Sequence, residues 1–190
     1  MPEIEIEPGL KDFFANSSIA LALASTERDN PLVLASEQFY TLTGYDSGDV
    51  IGRNCRFLQH RPDGEFASND EAKEKLHAFI HGDDANVRAP IVNFRKDGRP
   101  FVNLLFMSKL KAANGKVRYI IASQFDVSRT HPDLLAAYDS ELGETLARLK
   151  PLLDGHNVMV EGTLATIANS TTTIAQAKLT LAELETNSPY

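Results

Sequence analysis

The chain has 190 residues, 43% hydrophobic and 24% charged, with a net charge of −7. That is the composition of a soluble globular protein with room for one ordinary domain and an extension, too short for two enzymatic domains. The acidic balance argues against nucleic acid as a main partner, no apolar run reaches the roughly 20 residues of a membrane span, and a single cysteine excludes an internal disulfide or a thiolate metal cluster. The opening "MPEIEIEPGL" lacks the basic and apolar regions of a secretory signal, so a cytoplasmic location is expected.

Along the chain, "NSSIALALAST" (16–26) and "NPLVLAS" (30–36) read as two strands of a hairpin joined by a polar turn. Ser36 then opens a short helix carrying Phe39, Leu42 and Tyr45 at helical spacing, and "DSGDVIG" (46–52) supplies a further cap and a turn. Beyond "GRNCRFLQ" (52–59) lies a polar loop (60–69), followed by an amphipathic helix over 70–82 closed by Gly82. Three strands are predicted at 87–96, 100–110 and 116–127, joined by "DG" and "ANG" hairpin turns. The order predicts an α+β domain: one five-stranded antiparallel sheet with short helices over one face.

From about Pro132 the pattern reads as wholly helical. Leu135, Tyr138, Leu142, Leu146 and Leu149 form one stripe, which Pro151 and "DGHN" (154–157) interrupt. Val160, Ile167, Ile174 and Leu181 then recur at seven-residue steps, with Leu164 and Leu184 beside them. Such narrow seams must be buried, either back on the sheet or, as the preferred reading, against a partner chain.

The lone Cys55, taken without its neighbours, reads as a small buried hydrophobe, because a catalytic thiol wants a histidine base and a redox thiol a resolving partner. Its neighbours point elsewhere. Arg56 offers a fork of donors suited to a phosphate or carboxylate, and Asn54 and Gln59 carry both donor and acceptor. Further on, Asn93, Asn103 and Gln124 each fall within an apolar strand. Strand alternation puts Val102, Leu104 and Phe106 on one face and Asn103 with Leu105 on the other. Inward carboxamides need partners, which a planar ligand with alternating C=O and N–H groups would supply, as would each other or nearby backbone.

"GRNCRFLQ", with "DNPLVLAS..F..LTGY", "NFRKDG", "VNLL" and "ASQFDVS", resembles LOV domains, the blue-light-sensing subclass of PAS domains, over roughly residues 16–128. The resemblance implies an N-terminal segment (1–15), a flavin-binding PAS/LOV domain (16–128) and a helical extension (129–190). It implies a non-covalently bound flavin, FMN ahead of FAD, and a light-driven, reversible bond between the sulfur of Cys55 and the flavin C4a carbon. By the same match Arg56 pairs with the phosphate, Asn54 and Gln59 hold the ribityl chain and ring edge, and Asn93 and Asn103 bond the pyrimidine edge. Gln124 sits near N5 and O4 and relays the signal by reversing its amide. Leu21, Leu23, Ile51, Leu58, Leu105 and Ile121 are candidates for the apolar walls. The chain departs from the family pattern in four places. His77 stands where a second phosphate arginine is usual, the loop at 60–69 is longer and leaves room for FAD, Val102 replaces an aromatic, and Ala24 replaces an acidic residue.

The resemblance ends near residue 128. The remaining length suits neither a kinase nor a cyclase, and over residues 132–190 Arg148, Lys150 and Lys178 are the only Lys or Arg residues, which disfavours DNA binding. The expectation is a photoreceptor without an enzymatic effector, its helices forming a light-modulated homodimer or docking on a separate protein. A thermal electron-transfer flavoprotein and a flavin-free PAS module binding another ligand or protein are the alternatives. The first predicts redox turnover without bleaching by light, the second a colourless protein.

Overall fold

The computed structural model describes residues 6–64, 66–128, 131–154, 158–160, 178–179 and 181–182. An N-terminal helix α1 (Pro8–Ala15) leads into strands β1 (Ala20–Ser25) and β2 (Leu32–Ala35). Helices α2 (Glu37–Thr43) and α3 (Ser47–Val50), a 3₁₀ turn (Cys55–Gln59) and α4 (Asp70–His81) follow. Strands β3 (Asn86–Phe94), β4 (Pro100–Ala112) and β5 (Val117–Gln124), the long helix α5 (Pro132–Asp154) and a short β6 (Val158–Val160) complete the order.

Local chemistry accounts for the boundaries. Ser36 caps α2 by accepting from the Phe39 N–H, and Gly44 closes it at φ 76°, a conformation that costs glycine little. Asp46 caps α3 in the same way through the Asp49 N–H. The β3–β4 turn passes through Gly98 at φ 87°.

The five predicted strands all form, in the antiparallel order β2–β1–β5–β4–β3. Cross-strand register then sorts the side chains onto two faces. On the inner face Ala20, Ala22, Leu32, Phe39, Val50 and Leu58 pack together, bringing in α2, α3 and the 3₁₀ turn. Ala72 of α4 packs there with Ala89 and Ile91. On the outer face Leu21, Leu23, Phe106, Tyr119 and Ile121 pack with Leu10 and Phe14 of α1 and with Tyr138, Leu142 and Leu149 of α5.

This outer layer corrects the expectation that the first C-terminal stripe meets a partner chain. Tyr138, Leu142 and Leu149 are buried against the chain's own sheet, and Leu135 and Leu146 pack at the margin. The reason is that β1 and β5 present large apolar residues outward, which themselves need cover. Pro151 does not end the helix, which runs on to Asp154. The extension is not wholly helical either. Val158–Val160 pairs with Leu110–Ala112 on the edge of β4, where β3 has already ended at the Asn86–Ser108 pair. Of the second seam, Leu164, Ile167, Ile174 and Leu184 lie outside the described residues, while Leu181 is buried with Val92, Val102 and Leu104. Among the described residues no helix is long and apolar enough to cross a membrane.

Candidate functional site

The 3₁₀ turn places Cys55 over the inner face, packed at the edge of the cluster that contains Ala20, Ala22, Phe39, Val50 and Leu58. The residue is half-buried. Protein nonetheless surrounds the sulfur closely, and this burial pushes the thiol up to about 12. It is therefore neutral at any physiological pH and carries none of the thiolate character of a redox or hydrolytic cysteine.

Opposite it, strand alternation does what the sequence predicts for the carboxamides. Asn93, Asn103 and Gln124 are all buried. Asn103 pairs with Ile91 across β3, and Gln124 pairs with Ala20 across β1, so both share the face that carries Cys55. Two of the three satisfy each other. The Asn103 Nδ2 donates to Asn93 Oδ1 at 3.0 Å, and Asn103 Oδ1 accepts from the Phe125 N–H at 3.2 Å. Gln124 differs: among the described residues neither its Nε2 nor its Oε1 has a hydrogen-bond partner, although it is only 2% exposed. A buried amide left without partners costs about 1–3 kcal/mol for each group, so it calls for a donor and an acceptor from elsewhere.

The wall beside Gln124 is made of small residues. Ala20, Ala22 and Ala24 of β1 stand on this face, with Ala122 paired to Ala22. They leave room next to the sheet that leucines would fill. The sequence carried this signal in the alternation "ALALAS", whose phase decides which set faces inward. Leu23 and Ile121, expected as walls of the site, are corrected here together with Leu21. They are paired neighbours or near neighbours on the outer face, packed toward α1 and α5. Leu58 and Leu105 do lie on the Cys55 side, whereas Ile51 is 42% exposed.

The polar residues of the turn converge on one residue that the motif does not include. Asn54 Nδ2 donates to the Asp29 carbonyl at 2.6 Å, while its Oδ1 accepts from the Arg56 N–H at 2.9 Å. The Arg56 guanidinium forms an ion pair with the Asp29 carboxylate, with both side chains more than half exposed. Asp29 holds a left-handed backbone (φ 74°), as does Asn30 (φ 46°), which turns the β1–β2 loop toward the thiol-bearing turn. Gln59 is half-buried at the end of that turn. His77 stands exposed on α4, its ring 4.3 Å from that of His81. An anion bound at Arg56 would compete with Asp29 for it.

Residues 18–129 match the family described as PAS domain. Phototropin-2 of Oryza sativa subsp. japonica is 39% identical over 130 residues, covering 68% of this chain and 14% of that protein. A blue-light-activated histidine kinase of Brucella anthropi is 37% identical over 100 residues, 53% of this chain and 19% of that protein. The chain therefore spans less than a fifth of the length of these curated relatives. The solved structure of the Rhodobacter sphaeroides LOV protein is 26% identical, with a TM-score of 0.63, covering 92% of this chain and 89% of that one.

Proposed function

Because the chain belongs to the PAS family, and within it to the blue-light-sensing LOV domains, we propose that it is a photoreceptor that binds FMN on the inner face of its sheet. When bound, the flavin would supply blue-light absorption and a ring carbon, C4a, able to take a reversible bond from the Cys55 sulfur, with N5 able to take the thiol proton. The observation that carries this reading is Gln124, a buried amide whose polar atoms have no partner among the described residues, on the face that holds a neutral thiol.

The chain's own residues supply the rest. A neutral thiol suits a bond made by a photoexcited partner, since light supplies the activation and the sulfur need not ionise first. Asn93 and Asn103 would orient the pyrimidine edge. Arg56, with Asn54 and Gln59, would hold the phosphate and ribityl chain once Asp29 yields its place. Gln124 can present either its donor or its acceptor by turning its amide, and would turn it if the flavin edge it faces exchanged acceptor for donor. The output is assigned to the C-terminal extension, as a light-modulated homodimer or as docking on a separate protein effector, in the cytoplasm. Leu134 and Leu179, left 57% and 67% exposed, support an interaction surface there.

The visible spectrum of the purified protein, before, during and after blue light, tests this reading. The parent is expected to be yellow, to bleach and to recover, and Cys55→Ala to stay yellow without bleaching. A yellow parent that ignores light would favour thermal electron transfer. A colourless protein that cannot be loaded with flavin would overturn the flavin reading altogether.

A further inference from the structure

We propose that Tyr138 is the positioning residue through which a turn of the Gln124 amide reaches α5, an inference that rests on the light-sensing reading above. Gln124 faces the inner side of the sheet, and its two chain neighbours face outward. Both hold the same side chain. Ser123 Oγ and the Tyr138 hydroxyl are hydrogen-bonded, and both residues are buried. The Phe125 ring stacks on the Tyr138 ring, with centroids 4.0 Å apart and planes inclined by 8°. The tyrosine of α5 is therefore clamped by residues 123 and 125, on either side of the one buried amide left without partners among the described residues.

The inner face reaches this clamp by a second path. The Phe125 N–H donates to Asn103 Oδ1 at 3.2 Å, its carbonyl accepts from the Leu104 N–H at 2.7 Å, and Asn103 in turn donates to Asn93 at 3.0 Å. A displacement of either amide moves the backbone that carries the Phe125 ring. The other contacts of α5 respond differently. Leu142 and Leu149 make non-directional apolar contacts that tolerate a small slip, the Arg88–Asp139 ion pair (2.6 Å) is anchored on β3, away from β5, and the exposed hydrogen bond from Ser18 to Glu141 is anchored ahead of β1. The hydroxyl pair is directional and weakens steeply once its angle opens, so it is the contact that a small shift of β5 makes or breaks.

The test uses Tyr138→Phe, which keeps the ring and its stack, and Ser123→Ala, which removes the other hydroxyl. Amide hydrogen exchange of α5 is measured in the dark and under blue light, with bleaching recorded in the same samples. Both variants are expected to bleach and recover as the parent does, while the light-minus-dark difference in α5 exchange falls by roughly threefold to tenfold, the ratio that one buried hydrogen bond is worth. The double variant should add little to either single one. An unchanged light-minus-dark difference, even with faster exchange in the dark, would make Tyr138 a structural contact only and overturn the inference. So would a parent whose α5 exchange ignores light while its colour bleaches. A parent that does not bleach at all would remove the light-sensing reading, and this inference with it.

Discussion

Cys55 and Gln124 meet on one face of the sheet under opposite pressures. Burial keeps the thiol neutral, while burial leaves the amide short of partners. The thiol carries a pH signature. Its pKa rises from 9.0 to about 12 on folding, so between these values the unfolded chain has shed a proton that the native chain keeps. Stability from this group is complete below the unfolded value and is lost as pH rises toward the folded one. Denaturant unfolding between about pH 9 and about pH 11, the accessible part of that window, should show a steeper alkaline decline in the parent than in Cys55→Ala. Equal slopes would mean that the thiol is not held in its neutral form by the fold. Arg56 and Asn54 show the limit of motif reading at this scale. Their residue types were legible, but their convergence on Asp29 was not, because the loop that brings Asp29 there depends on two left-handed residues that are not glycine.

At the scale of elements, most boundaries followed from caps and turns that act within a few residues. Ser36 does more than its cap position suggests. Its Oγ accepts from the Leu21 N–H (2.8 Å) and the Phe39 N–H (3.4 Å) and donates to the Ile19 carbonyl (3.0 Å), joining α2 to the start of β1. Ser36→Ala should therefore cost about 1–3 kcal/mol, the sum of a lost cap and buried groups left unpaired. Denaturant midpoints at constant slope would measure it, and a loss within experimental error would mean that the α2–β1 join is not held by this hydroxyl. The phase of β1 is not legible from its sequence. "ALALAS" alternates cleanly, yet alternation names two faces without saying which is inside. The answer came from pairing: Ala22 lies opposite Ala122, and Leu23 opposite Ile121.

For the molecule as a whole, the outer face of the sheet is covered by the chain's own α1 and α5. Phe14 of α1, Tyr138 and Leu142 of α5, and the strand residues Leu21 and Ile121 form one cluster. On this arrangement α5 is part of the core and cannot unfold at small cost. Leu142 is fully buried, so Leu142→Ala is expected to destabilise the protein by about 2–5 kcal/mol within a single cooperative transition. An early, separate loss of helix signal with the main transition unmoved would show instead that α5 is an appendage. The same cover puts the two halves of the proposed relay on opposite sides of one strand, with Gln124 inside and Tyr138 outside, linked through residues 123 and 125.

The family, the strands and short helices, the thiol-bearing turn and the inward carboxamides are legible in the amino-acid order, because each rests on local spacing: a motif of contiguous residues, a cap, or a period of two. Long-range packing sets which face of β1 and β5 lines the site, holds Arg56 on Asp29, folds α5 back onto the sheet, and joins β6 to the edge of β4. Those outcomes depend on contacts between residues far apart in the chain. An apolar stripe states that it must be buried, but its partner is whichever surface the rest of the fold leaves uncovered.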